Sequence, residues 1–122
     1  MLNGRSNLGV KKRSAGIVVV LMTIALPVLL AIVGLAVDSA RAYGVKATLS
    51  AAVDAASLAA ARAVSNGETA AIRAAEKFFT ANYPAGYFDS TPSQPSVTFG
   101  YSAEGDISIN VAATANMPTT FL

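Results

Sequence analysis

The sequence predicts an α+β protein in which one N-terminal transmembrane helix continues into a long helix, with a second helix and a β-hairpin forming a small head. Three observations carry this reading. The run from Ala15 to Val37 is apolar and uncharged. Residues 38–64 are rich in alanine and hold no proline. Two short alternating segments follow a proline-rich loop near the C-terminus.

The apolar run reads AGIVVVLMTIALPVLLAIVGLAV. At about 1.5 Å per residue it extends roughly 35 Å, enough for a hydrocarbon core of about 30 Å. Pro27 leaves the Thr23 carbonyl without its helical donor and predicts a kink, which membrane helices tolerate. Arg5, Lys11, Lys12 and Arg13 precede the run with no acid among them. Cationic flanks are retained in the cytoplasm, so they predict N-in, C-out topology. The expected organisation is a cytoplasmic basic flank (1–14), a membrane span (15–37) and an extracytoplasmic stalk and head (38–122). The competing reading is a cleaved secretory signal, with Ala40-Arg41-Ala42 as the cleavage site. Signal h-regions run only about 7–15 residues, however, and this run is longer.

Beyond the span, alanine supplies helix propensity and Gly44 costs about 1 kcal/mol of it. Asn66-Gly67 marks a stop, with Gly67 suited to a left-handed cap. Ser65 and Glu68 have the spacing of a capping box for a second helix running to about Asn82. Its apolar stripe is Ile72, Ala75 and Phe79, and Pro84 ends it. Residues 84–96 read as a loop. Val97, Phe99 and Tyr101 alternate as one strand and Ile107, Ile109 and Val111 as another, joined by a turn at 102–106. An isolated hairpin is marginal in water, so its apolar face must rest on the helices. Phe121 and Leu122 are expected either to dock on the head or to lead into further chain.

Composition narrows the chemistry. The chain is 53% hydrophobic and 13% charged, with no cysteine, histidine or tryptophan. Disulfides, thiolate metal sites and histidine acid–base catalysis are excluded. No phosphate loop, zinc-protease motif or nucleophile elbow occurs, and the acids are scattered singly. No cofactor is expected, and no enzymatic activity. The net charge of +2 reflects the basic flank, while acids outnumber bases after the span, so no nucleic-acid partner is expected. Asp38 and Arg41, three apart, read as a solvated pair at the membrane exit or as a partner contact. Tyr43 fits an interfacial aromatic belt. Asp54 reads either as part of a solvated stripe or as a buried polar contact.

At about 100° per residue, Lys46, Ser50, Asp54 and Ser57 fall on one polar stripe. Val45, Leu49, Val53, Ala56 and Ala60 lie to one side and are assigned to the protein's own hairpin and second helix. Nearly opposite lie Ala47, Ala51, Ala55 and Leu58. A one-sided head cannot cover both surfaces. Ala51, Ala55 and Leu58 are therefore candidate contacts for a partner subunit or for self-association. The competing reading is that these alanines serve helix propensity alone and face solvent.

Ala25-Leu26-Pro27, Gly34-Leu35-Ala36-Val37-Asp38 and the run from Asp54 to Ala61 (DAASLAAA) stand in an order and spacing that resemble the TadE/TadG-like proteins of Tad (Flp) pilus-assembly systems. The likeness covers residues 16–61. It implies a bacterial inner-membrane protein used in pilus assembly or secretion, with the bilayer and other pilus subunits as its partners. Leu49-Ser50-Ala51-Ala52 stands where the family often has L-Q-N-A. The D-x-S-x-S metal motif of larger members is absent, so metal-dependent adhesion is not implied. A processed pilin-like subunit is the alternative, although neither Gly9 nor Gly16 is followed at the fifth residue by the glutamate typical of such precursors. A secreted binding module released by signal cleavage is the third reading. Intact mass of the membrane-extracted protein separates the three.

The topology is directly testable. A reporter fused after Leu122 is expected to be active only outside the cytoplasm, and cytoplasmic activity of that fusion would overturn the orientation read from Lys11, Lys12 and Arg13.

Overall fold

The computed structural model describes residues 8–122, with side chains from Ser14 onward. Arg5 and the side chains of Lys11, Lys12 and Arg13, read above as topology determinants, lie outside the described residues. The elements are α1 (Leu8–Ala63), α2 (Glu68–Asn82), β1 (Thr91–Pro92), β2 (Ser96–Tyr101), β3 (Ile107–Ala112) and β4 (Ala115–Asn116), with short 3₁₀ turns at Val64–Asn66 and Tyr87–Asp89. The fold is α+β. By their contacts the residues form two units, Met1–Asp38 with Thr120–Leu122, and Ser39–Thr119.

In the first unit α1 continues through Pro27. The Thr23 hydroxyl bonds back to the Val19 carbonyl at 2.8 Å, a local bond that helix hydroxyls make readily. Every residue from Ser14 to Val33 is exposed. A helix apolar all round and uncovered by its own chain is consistent with membrane anchoring. The helix is long and apolar enough to span a membrane.

The end of this stretch differs from expectation. Asp38 is only 2% exposed. Its carboxylate accepts the backbone N–H of Thr120 at 3.1 Å and of Phe121 at 2.8 Å. The solvated reading of Asp38 is thus corrected: two consecutive amides compete better for the carboxylate than water does. One turn earlier, Gly34 makes room for Phe121. A Cβ at position 34 would stand 3.0 Å from the Phe121 Cβ. Phe121 therefore packs beside Gly34 and Asp38 on α1, which replaces the expectation that it docks on the head.

The second unit is organised by alanine. Ala52, Ala56 and Ala60 on α1 and Ala71 and Ala75 on α2 are fully buried, with Phe79, Tyr83 and Val111 completing the core. Spacings of four residues place each set on one helix face, and the lack of side-chain bulk allows close backbone approach. The face assigned to the protein's own core is occupied as expected: Val45, Ala56 and Ala60 are buried, and Leu49 and Val53 are half-buried. On α2 the buried stripe starts at Ala71, with Ile72 half-buried beside it.

The hairpin pairs as the alternation predicts. Val97 faces Val111, Phe99 faces Ile109 and Tyr101 faces Ile107 in antiparallel register. Val97, Phe99 and Ile109 pack on the alanine core. Gly105, at φ 89°, closes the turn by donating its N–H to the Ser102 carbonyl. A second two-stranded pairing, β1 with β4, was not expected. Strands of two residues are too short for any period to be visible.

The helix junction is also corrected. Gly67, not Ser65, caps α2, and no side chain caps it. Glu68 is the first helical residue, two positions short of where a capping box needs its carboxylate. Gly67 has φ 105° and ψ 160°, an extended region essentially reserved for glycine, in place of the expected left-handed cap. Its N–H bonds the Val64 carbonyl and its own carbonyl receives the Ala71 N–H. The Tyr101 hydroxyl donates to the Glu68 carboxylate. That hydrogen bond to the anion holds the Tyr101 phenol above its ordinary pKa.

Residues 84–96, expected to be a loop, are ordered by aromatic packing. Phe79 stacks on Tyr83 at 6.0 Å, and Tyr83 meets Tyr87 edge-on at 6.4 Å. The Tyr83 hydroxyl meets that of buried Ser90, which in turn donates to the Tyr87 carbonyl. Phe88 and Asp89 adopt positive φ, 49° and 58°, a strained conformation for non-glycine residues. Arg41 holds them there, donating to the Phe88 carbonyl at 3.0 Å and to the Asp89 carboxylate at 3.3 Å. The Phe88 ring lies against Gly44, where a Cβ would come within 2.9 Å of it. Gly44 thus gives up helix propensity for this contact.

Core density on the inner face yields a test. Ala56→Leu should destabilise the second unit by about 1–3 kcal/mol through overpacking, whereas Ala47→Leu on the exposed face should change it by less than about 0.5 kcal/mol. Urea unfolding followed by circular dichroism on the detergent-extracted chain measures both, and equal effects would contradict the assignment of faces.

Candidate partner-docking surface

The polar stripe of α1 separates two apolar surfaces. Lys46, Ser50 and Asp54 are exposed. Ser57 is half-buried and donates its hydroxyl to the Val53 carbonyl at 2.9 Å. Asp54 belongs to the solvated stripe. Across from the core face, Ala47 and Ala51 are exposed, Ala55 is half-buried and Leu58 is 56% exposed.

Ala55 is half-buried because α2 runs beside it. Between the helices lies an open groove of about 530 Å³, walled by Ala55, Leu58, Ala59, Ala74 and Phe78. Arg62, Asn66 and Asn82 provide its polar rim. Phe78 is 48% exposed and was not singled out from the sequence. A signal was present: adjacent phenylalanines on a helix point about 100° apart, so with Phe79 at the centre of the core face, Phe78 lies at its margin. The Asn82 side chain donates to the Phe78 carbonyl at 2.7 Å and so lies at the open end of α2. A second groove, about 590 Å³, runs along the opposite edge of α2. It is lined by Arg73, Glu76 and Lys77 and by residues 92–95, and its charged wall suits water better than an apolar partner.

The candidate residues thus fall into separate places. Ala51, Ala55 and Leu58 share the outer face of the second unit, where Phe78 and Arg62 join them. Asp38 belongs to the first unit with Gly34 and Phe121. Pro27 lies within the exposed apolar stretch. Among the described residues no three carboxylates gather as a metal site would require.

These features define a class: a chain with, among the described residues, one helix long and apolar enough to cross a membrane, and a compact α+β unit that keeps an apolar surface open. Residues 16–63 match the Tad family model, described as putative Flp pilus-assembly TadE/G-like. This segment, less than half of the chain, is TadE/G-like, in agreement with the motifs from Ala25 to Ala61. Neither the curated proteins nor the solved structures provide a match. Residues 64–122, including all of α2 and the strands, lie outside the matched segment.

Proposed function

We propose that this protein is a non-enzymatic, membrane-anchored structural component of a Tad (Flp) pilus-assembly system. In this reading residues 15–37 anchor it in the bacterial inner membrane. Residues 1–14 stay in the cytoplasm, and residues 38–122 act outside it. Its work is to bind another subunit of the assembly machine on the surface formed by Ala51, Ala55, Leu58 and Phe78.

One observation carries the docking role. α1 is apolar on two sides, and only one of them is covered by its own chain. Leaving Leu58 and Phe78 together in water is unfavourable, and alanine beside them lets a second helix approach closely. Arg62 at the rim provides a charge that would orient such a helix by its C-terminal end or by an acid. A scaffold needs a surface of this kind and no catalytic group, in keeping with a chain that lacks histidine and cysteine.

The test is Ala51→Arg and Leu58→Arg in the intact membrane protein. Protein level, insertion and protease resistance of the folded unit should remain near wild type. Burying an unpaired charge in an apolar contact is costly, so co-purification with other pilus-assembly subunits, or self-association, should fall about tenfold or more. Assembly that survives both substitutions would place the docking surface elsewhere, and unfolding of the unit would show the two faces to be reversed.

A further inference from the structure

We propose that Phe121 and Leu122 form a second membrane contact, an apolar wedge at the bilayer surface, and that Gly34 and Asp38 are the positioning residues that hold it. The inference rests on the reading that residues 15–37 span the bilayer. It deepens that reading by assigning a lipid-facing role to residues far away in sequence.

Three features of the first unit point to lipid. Gly34 and Asp38 stand one turn apart on the same face of α1. The missing side chain at 34 admits Phe121 against the helix, and the carboxylate at 38 takes the amides of Thr120 and Phe121. Their placement at the end of the apolar stretch matters as well. Where water is scarce, a backbone N–H must find an internal partner, and a buried carboxylate that accepts two amides in a row meets that need for a non-helical segment. Finally, Phe121 remains 62% and Leu122 75% exposed. They lie at the level of α1 where Val33, Leu35 and Val37, all exposed, end the apolar stretch. An aromatic and an aliphatic side chain side by side at that level, with the Phe121 amide already satisfied, suit the boundary between headgroups and acyl chains. The occupant of this patch is therefore the lipid surface and not the protein's own core.

The chain contains no tryptophan, so Phe121→Trp supplies a single fluorophore at the wedge, Leu122→Trp a second one that leaves the Gly34 contact intact, and Leu26→Trp one inside the span. Each full-length variant is placed in phosphatidylcholine–phosphatidylglycerol vesicles with or without lipids brominated near the headgroup end of the acyl chain. Expected are blue-shifted emission from each of the two wedge reporters and quenching by the shallow bromolipid, both lost when Asp38→Ala is added. A span reporter quenched by deep-brominated lipid, together with water-like and unquenched emission from both wedge reporters, would overturn the proposal while leaving the span in place. An unquenched Leu26→Trp would instead overturn the span and the wedge with it. Wedge quenching that persists in Asp38→Ala would remove Asp38 from the positioning role.

Discussion

Close approach of α1 and α2 through alanine is the contact on which the rest of the second unit depends. Ala52, Ala56 and Ala60 meet Ala71 and Ala75 with no accessible surface left on any of them. Only because these side chains are small can Phe79 and Tyr83, at the end of α2, reach the hairpin at Val111. Tyr83 then orders the following loop through Ser90 and Tyr87, and Arg41 and Gly44 on α1 hold Phe88 and Asp89 in their strained conformation. A larger residue anywhere in the alanine seam would separate the helices and remove the support under each of these contacts in turn.

The same economy of side-chain size explains how one helix presents different surfaces along its length. The apolar stretch before Gly34 is suited to acyl chains, since its apolar side chains are left uncovered by the rest of the described chain. Beyond Asp38, alanine alternates between a buried seam and an open face, with Lys46, Ser50 and Asp54 dividing the two. Two glycines on α1 stand where another segment meets the helix backbone: Gly34 at Phe121 and Gly44 at Phe88. In both cases helix propensity, worth about 1 kcal/mol per glycine, is given up for a contact that an added Cβ would crowd, at 3.0 Å from Phe121 and 2.9 Å from Phe88.

Much of this was legible in the sequence, for physical reasons that differ by element. The apolar stretch, α2 and the Val97–Val111 hairpin all have many residues in period, so their patterns were strong enough to read. The division of α1 into two apolar faces followed from helical geometry alone, and the inner face is filled as that geometry required. What could not be read was non-local. Nothing near Asp38 announces that residues 120 and 121 will supply its hydrogen bonds, and Gly44 carries no mark of the Phe88 ring. The pairing of β1 with β4 involves two residues a side. Ser65 and Glu68 had the spacing of a capping box, but the 3₁₀ turn consumed the residues that would have placed it, and Gly67 took over the cap. Phe78 was recoverable, because it stands about 100° from Phe79 and so at the margin of the face that Phe79 centres.

The central claim is that α1 serves its own fold on one side and another protein on the other. Site-specific photocrosslinking in the living cell reads both sides at once, with a benzophenone amino acid placed either at Leu58 or at Phe79 of the full-length membrane protein. The account predicts that the Leu58 probe yields an adduct of higher mass with a second polypeptide, while the Phe79 probe, enclosed in the core, yields none. Adducts at neither position, or at Phe79 alone, would contradict it.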